Sequence, residues 1–189
     1  MIFKSQIKIN KNTNSQEITS MSMEENKNLK FTFFSILETI LEYSSTLEKI
    51  VPSVFDKISK INGEGNIKLK SKMDIDQNNF EDFFIFCAKK FKIDDDILVL
   101  TMMNIDKIIS NNNFPLTYQN VNRLFYTCLM VTQKYYEDNS YNNKLYADLV
   151  GISCDELLDM EMEYMNLVDY HLFIKDDEFE EYKKKMSEL

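Results

Sequence analysis

The stretch that decides the fold runs from Asn104 to Leu172. In it N-I-D-K (Asn104 to Lys107), N-V-N-R-L (Asn120 to Leu124), Q-K-Y-Y-E-D (Gln133 to Asp138), N-N-K-L-Y-A (Asn142 to Ala147), G-I-S-C-D-E-L (Gly151 to Leu157) and M-E-M-E-Y-M (Met160 to Met165) follow in close succession. Val121, Leu124, Phe125, Cys128, Leu129, Thr132 and Tyr135 recur at helical spacing, and Thr117 after Pro115 suits the N-cap, so a helix is predicted to about Asp138. Leu145, Tyr146, Leu149 and Val150 form a shorter helix, which Gly151 closes in the left-handed conformation glycine takes cheaply. Ser153 and Glu156 make an S-x-x-E capping box that opens a third helix through Leu157, Met160, Tyr164, Leu167 and Val168.

Upstream the periodicity continues. I-L-V-L-T-M-M-N-I-D-K-I-I is apolar nearly all round, so it is expected at the centre of a bundle, and Asp94, Asp95 and Asp96 before it suit the positive end of a helix dipole. Phe80, Phe83, Phe84, Cys87 and Phe91 lie on one face of a preceding helix. Phe34, Ile36, Leu37, Ile40, Leu41, Leu47 and Ile50 give an amphipathic helix stopped by Pro52, assigned to residues 29–55. Residues 56–77, with Gly63 and Gly65 among Lys and Asn, read as a surface loop. Residues 1–28, rich in Asn, Lys, Ser and Thr, read as a disordered tail. At the other end D-D-E-F-E-E-Y-K-K-K places acids before bases, as in a short helix over residues 175–189.

The composition agrees with an all-α chain. Three Gly and two Pro in 189 residues are too few for a turn-rich β fold, and 44% apolar content with 13% aromatic is ample for a core. A net charge of -9 and a pI near 4.7 oppose attachment to nucleic acid or an anionic membrane, which leaves a protein as the expected partner. Cys87, Cys128 and Cys154 lack C-x-x-C spacing and read as buried, reduced thiols, consistent with a cytoplasmic or nuclear setting. The N-terminus has no apolar signal region, and no window is long enough to span a bilayer. His171, the one histidine, has no second His to form a ligand pair, and the glycines are too scattered for a phosphate loop, so no metal or cofactor is expected.

The motifs as an ordered set resemble the cyclin box, and in particular the P/U-type cyclins. N-I-D-K resembles that family's Y-I-D-R, N-V-N-R-L its N-V-H-R-L, N-N-K-L-Y-A its N-x-x-Y-A, G-I-S-C-D-E-L its G-G-I-S-x-x-E-L, and Met160-Glu161 its L-E. The likeness spans about Phe80 to Leu172, with an echo in the helix from Phe31 to Ile50. The family's P-x-I-S-I before the first box helix survives only as N-N-F at Asn78 to Phe80. Phe86 and Lys107 stand where the family has arginines. What the resemblance implies is an all-α fold: a single five-helix cyclin box over residues 78–174, flanked by the extra N-terminal helix and the short C-terminal one.

The resemblance also implies a function, that of a non-enzymatic regulatory subunit forming a heterodimer with a cyclin-dependent protein kinase, which supplies catalysis and Mg-ATP. In such cyclins the third and fifth box helices grip the kinase with one Lys and one Glu in an apolar patch. The matching residues are Lys134 and Glu161, with Val131, Tyr135, Met165 and Leu172 around them. Taken singly, a Lys or a Glu is more often a solvated charge. Glu137 and Asp138 end a helix where acids are unfavourable; one of them meets a basic group near the kinase activation segment, or the pair is simply a solvated turn. Arg123, the only arginine, offers a planar fork that lysine lacks, and is expected to bind Asp106 across the bundle. The competing readings are a cyclin-fold scaffold without kinase activation and a transcription-associated cyclin-fold protein.

Overall fold

The computed structural model of the chain describes residues 25–44, 55, 72–74, 80–112 and 114–188. They form seven α-helices and one short 3-10 turn: α1 (Glu25–Ser44), the turn (Lys72–Asp74), α2 (Phe80–Phe91), α3 (Asp95–Asn112), α4 (Val121–Tyr136), α5 (Asn143–Val150), α6 (Cys154–Leu167) and α7 (Asp176–Ser187). No strand occurs among the described residues. Helix α1 begins at Glu25, within the stretch assigned from sequence to a tail. The remainder of that stretch, the Pro52 stop and most of the 56–77 loop lie outside the described residues.

Two helices share the centre. In α3 Ile97 to Asp106 are all buried, as the apolar run predicts, but α4 goes further, with every residue from Val121 to Gln133 buried. Helix α4 packs against α2, α3, α6 and the 3-10 turn; α3 also meets α1 and α7, and α5 leans on α6. The outer face of α3 is thus covered by the two terminal helices, which also touch each other. Phe33 of α1 is fully buried, stacked on Phe84 at 5.2 Å and edge-on to Phe125 at 5.6 Å. Burying one such ring contributes about 2–3 kcal/mol, enough to make α1 part of the core.

Caps fix where the helices start. Asp94 Oδ1 accepts from the Ile97 N–H at 2.8 Å, Asn142 Oδ1 from the Leu145 N–H at 2.9 Å and Ser153 Oγ from the Glu156 N–H at 3.1 Å. Helix α4 departs from expectation: its N-cap is Asn120, and the Thr117 hydroxyl is not the cap. The reason is local. Asn120 folds back, accepting from the Thr117 N–H at 2.8 Å and donating to the Pro115 carbonyl at 3.0 Å, so a turn occupies residues 118–120. Gly151 ends α5 at φ 76°, ψ 38°, and the Ala147 carbonyl accepts from the N–H of both Gly151 and Ile152.

Met73 and Phe55 are buried, although Met73 falls in the stretch read as a surface loop and Phe55 comes after the Pro52 stop, at the last position assigned to the N-terminal helix. Phe55 meets Phe114 edge-on at 6.1 Å, and the Met73 carbonyl accepts from Asn122 Nδ2 at 3.1 Å. Cys154 corrects a further expectation. Cys87 and Cys128 are buried, but Cys154 is exposed, because it is the first residue of α6, directly after the Ser153 cap.

Candidate partner-binding site

Because α4 and α6 pack side by side, the last turn of α4 brings Lys134 to Glu161 in the middle of α6. Lys134 Nζ lies 2.7 Å from Glu161 Oε1, and each side chain retains 21% of its exposure. Asn143, at the start of α5, donates to the other Glu161 oxygen at 3.4 Å, and the Lys134 ammonium stands 5.8 Å from the Tyr146 ring centroid. The pair is open to water, so its own contribution to stability is about 1 kcal/mol or less. Its chemical capacity is larger than that contribution. The ammonium has donors beyond the one Glu161 uses, and the carboxylate has lone pairs left, so a partner's carbonyls and amides can join the pair without breaking it.

Beneath the pair lies a buried polar chain. Tyr146 donates through its hydroxyl to Gln133 Oε1 at 3.4 Å, Gln133 Nε2 donates to Glu137 Oε1 at 3.3 Å, and the Tyr126 hydroxyl donates to the Tyr146 carbonyl at 2.7 Å. Burial, ahead of the nearby Glu137 and Glu161 carboxylates, pushes the Tyr146 phenol up to about 12. A neutral ring is therefore held under the Lys134 ammonium.

The other candidates separate into surface and support. Tyr135 and Asp138 are exposed, and Met165 and Leu172 are half-buried. Val131 is only 4% exposed and belongs to the core, so it backs the patch rather than forming its surface. It lies within the continuous buried run of α4, which leaves a partner little of it to touch. Exposed apolar side chains on the same segments include Leu158 and Met162 in α6, and Tyr170 and Phe173 beyond its end. Met162 directly follows Glu161, and a methionine there suits an adaptable binding surface; Phe173 carries no periodic signal.

Arg123 is 5% exposed and binds Glu156, 32% exposed, with Nη1 to Oε1 at 2.7 Å; Met160 Sδ lies 3.5 Å from the same nitrogen. Glu156, read from sequence as half of a capping box, is thus also a carboxylate that this guanidinium engages. Asp106 is buried on α3, where it accepts from the Ser110 hydroxyl at 3.3 Å. Burial, reinforced by the Asp106 charge, pushes the Tyr182 phenol up.

Among the described residues no helix is long and apolar enough to cross a membrane. Helices α2 to α6, two of them central and all joined by short links, form the five-helix box of an all-α regulatory fold. The chain matches the Cyclin family model over residues 1–172 and belongs to the cyclin family. It is similar to Cyclin-U2-1 of Arabidopsis thaliana, 23% identical over 167 residues, which are 88% of this chain and 72% of that one. It is also similar to Cyclin-U1-1 of the same plant, 40% identical over 63 residues, 33% of this chain and 30% of the relative. PHO85 cyclin-7 of Saccharomyces cerevisiae is 32% identical over 69 residues, 36% of this chain and 24% of the yeast protein. The match reaches about three quarters of the first relative's length but well under half of the other two.

Proposed function

We propose that this cyclin binds and activates a cyclin-dependent Ser/Thr protein kinase through α4 and α6, with Lys134 and Glu161 at the centre of the contact. The observation that carries the reading is the juxtaposition of those two side chains. They are a base and an acid from different helices, 2.7 Å apart and partly exposed to solvent, with exposed Tyr135 and half-buried Met165 on the same two helices. A polar pair ringed by apolar groups loses its water when a partner closes over it, and its hydrogen bonds then set register while the apolar rim supplies most of the affinity. Activation follows if the cyclin binds the active arrangement of the kinase better than the inactive one, stabilising the Lys and Glu pair that orients the ATP phosphates. The protein itself is regulatory and carries out no reaction. One relative's printed description, PHO85 cyclin-7, supports a kinase of that class as the partner. The free thiols Cys87, Cys128 and Cys154 fit a reducing cytoplasmic or nuclear setting.

The test compares wild type with the Lys134→Ala, Glu161→Ala double variant against a panel of purified cyclin-dependent kinases that includes the PHO85 kinase, measuring affinity and phosphorylation of a generic Ser/Thr substrate. The expected result is binding and activation by wild type and loss of both in a double variant that melts like wild type. Equal binding by both proteins, or none by either, would move the scaffold reading to first place.

A further inference from the structure

The segment between α6 and α7, residues 168–175, is mostly exposed yet held by several bonds to its backbone. The N–H groups of Val168, Asp169, Tyr170 and His171 all donate to carbonyls of residues 164–168, and Asn112 of α3 donates to the Leu167 carbonyl at 2.9 Å. Asp169 and Tyr170 both take the left-handed conformation, at φ 50° and 57°, which is costly for residues other than glycine and persists only when the surroundings impose it. Beyond that turn, one hydroxyl clamps the chain at two points. Tyr136, the last residue of α4, donates to the Leu172 carbonyl at 3.0 Å and accepts from the Ile174 N–H at 3.1 Å. The residue between those two points is Phe173, and its side chain is 66% exposed.

An exposed linker ordinarily relaxes, because no buried side chains repay the entropy of fixing it. Here the order comes from backbone bonds and from Val168 and Ile174, which are buried, with Leu172 packed against the core, while the Phe173 side chain remains 66% exposed. We infer that Phe173 is a pre-organised anchor that inserts into an apolar pocket of the kinase, and that Tyr136 is the positioning residue that holds it ready. The inference rests on the kinase-binding reading and extends the same surface. Tyr136 lies two residues beyond Lys134 on α4, and the linker continues α6, which carries Glu161. Aromatic side chains fixed before binding give affinity with little ordering cost, and for that reason they recur as interface hot spots.

The experiment is a double-mutant cycle on Tyr136→Phe and Phe173→Ala, measured as affinity for whichever kinase of the panel binds wild type most tightly. Phe173→Ala is expected to weaken binding at least about tenfold with an unchanged melting temperature, because the ring contributes nothing to the folded core. Tyr136→Phe keeps the ring and removes only the clamp. It should weaken binding several-fold and speed hydrogen exchange at the Ile174 amide, which Lys134→Ala should leave alone. The double variant should bind no more weakly than Phe173→Ala, since Tyr136 acts through Phe173. Unchanged affinity in Phe173→Ala, or losses that simply multiply in the double variant, would overturn the inference. If wild type binds and the Lys134→Ala, Glu161→Ala protein does not, that failure falls on the inference alone. If wild type binds no kinase, the reading beneath it falls as well.

Discussion

Replacing Arg123 separates charge from shape in the one place where the chain uses an arginine. The guanidinium is 5% exposed and its partner Glu156 is 32% exposed, at 2.7 Å. Removing one member of a fully buried pair costs about 3–5 kcal/mol. Water reaches Glu156 and can resolvate it, so Arg123→Met belongs at the low end, about 3 kcal/mol. Arg123→Lys keeps the charge but loses the planar fork and the contact of Nη1 with Met160 Sδ, and should cost about half as much, roughly 1.5 kcal/mol. For a chain of this size 1 kcal/mol moves the melting temperature by about 2–4 °C, so the two variants should melt roughly 5 and 10 °C below wild type. Urea unfolding at constant m-value is the assay, with circular dichroism at 222 nm as the probe. Because the pair lies between α4 and α6, both variants should lose stability without losing helix content in water. An Arg123→Lys midpoint indistinguishable from wild type would refute the claim that the fork, rather than the charge alone, holds these helices together.

Lys134→Ala with Glu161→Ala should change stability by no more than about 1 kcal/mol, because the pair is solvated, although the distance matches that of the Arg123 pair; denaturant midpoints check this. Gly151→Ala has open space around the added methyl, so its cost is that of the left-handed backbone alone, about 1 kcal/mol; a loss above about 3 kcal/mol would mean the methyl collides after all. Phe33→Ala should cost about 3–5 kcal/mol, or less if α1 detaches first, and limited proteolysis within α1 distinguishes the two outcomes. Tyr146 titrates near 12 in the folded chain and near 10 when unfolded. The unfolded state therefore releases its proton first, and stability should fall as pH rises from about 10 to about 12, by up to roughly 1.4 kcal/mol per unit for this group; Tyr146→Phe should flatten that slope in alkaline unfolding curves.

The helices were legible because their signals are local. Phe80 to Phe91 announce one face of α2, the three aspartates announce the start of α3, and Gly151 with Ser153 punctuate α5 and α6 within a few residues. Thr117 misled because a better local competitor follows it: the longer Asn120 amide, with its donor and acceptor on separate atoms, reaches back to hold the Thr117 N–H and the Pro115 carbonyl together, and the turn this makes delays the helix start. Phe55 and Met73 were illegible for a different reason. Phe55 follows the Pro52 stop and Met73 stands in a Lys-rich stretch, neither on a periodic helical face, and only tertiary contact, here with Phe114 and Asn122, makes each part of the core.

The site shows the same division between near and far. Lys134 and Glu161 are 27 positions apart, and nothing in their own neighbourhoods distinguishes them from solvated charges. Only the packing of α4 on α6 makes them one unit. Two acid and base pairs cross that same helix interface, and their burial sorts them. The Arg123 pair is closed on the arginine side, so its geometry serves the fold. The Lys134 pair remains open on both sides, so its hydrogen bonds remain available to something that arrives later. The Tyr136 clamp belongs with the second pair. It leaves an aromatic ring in water on the segment that follows α6, and a ring that contributes nothing to the folded chain is free to contribute to a complex.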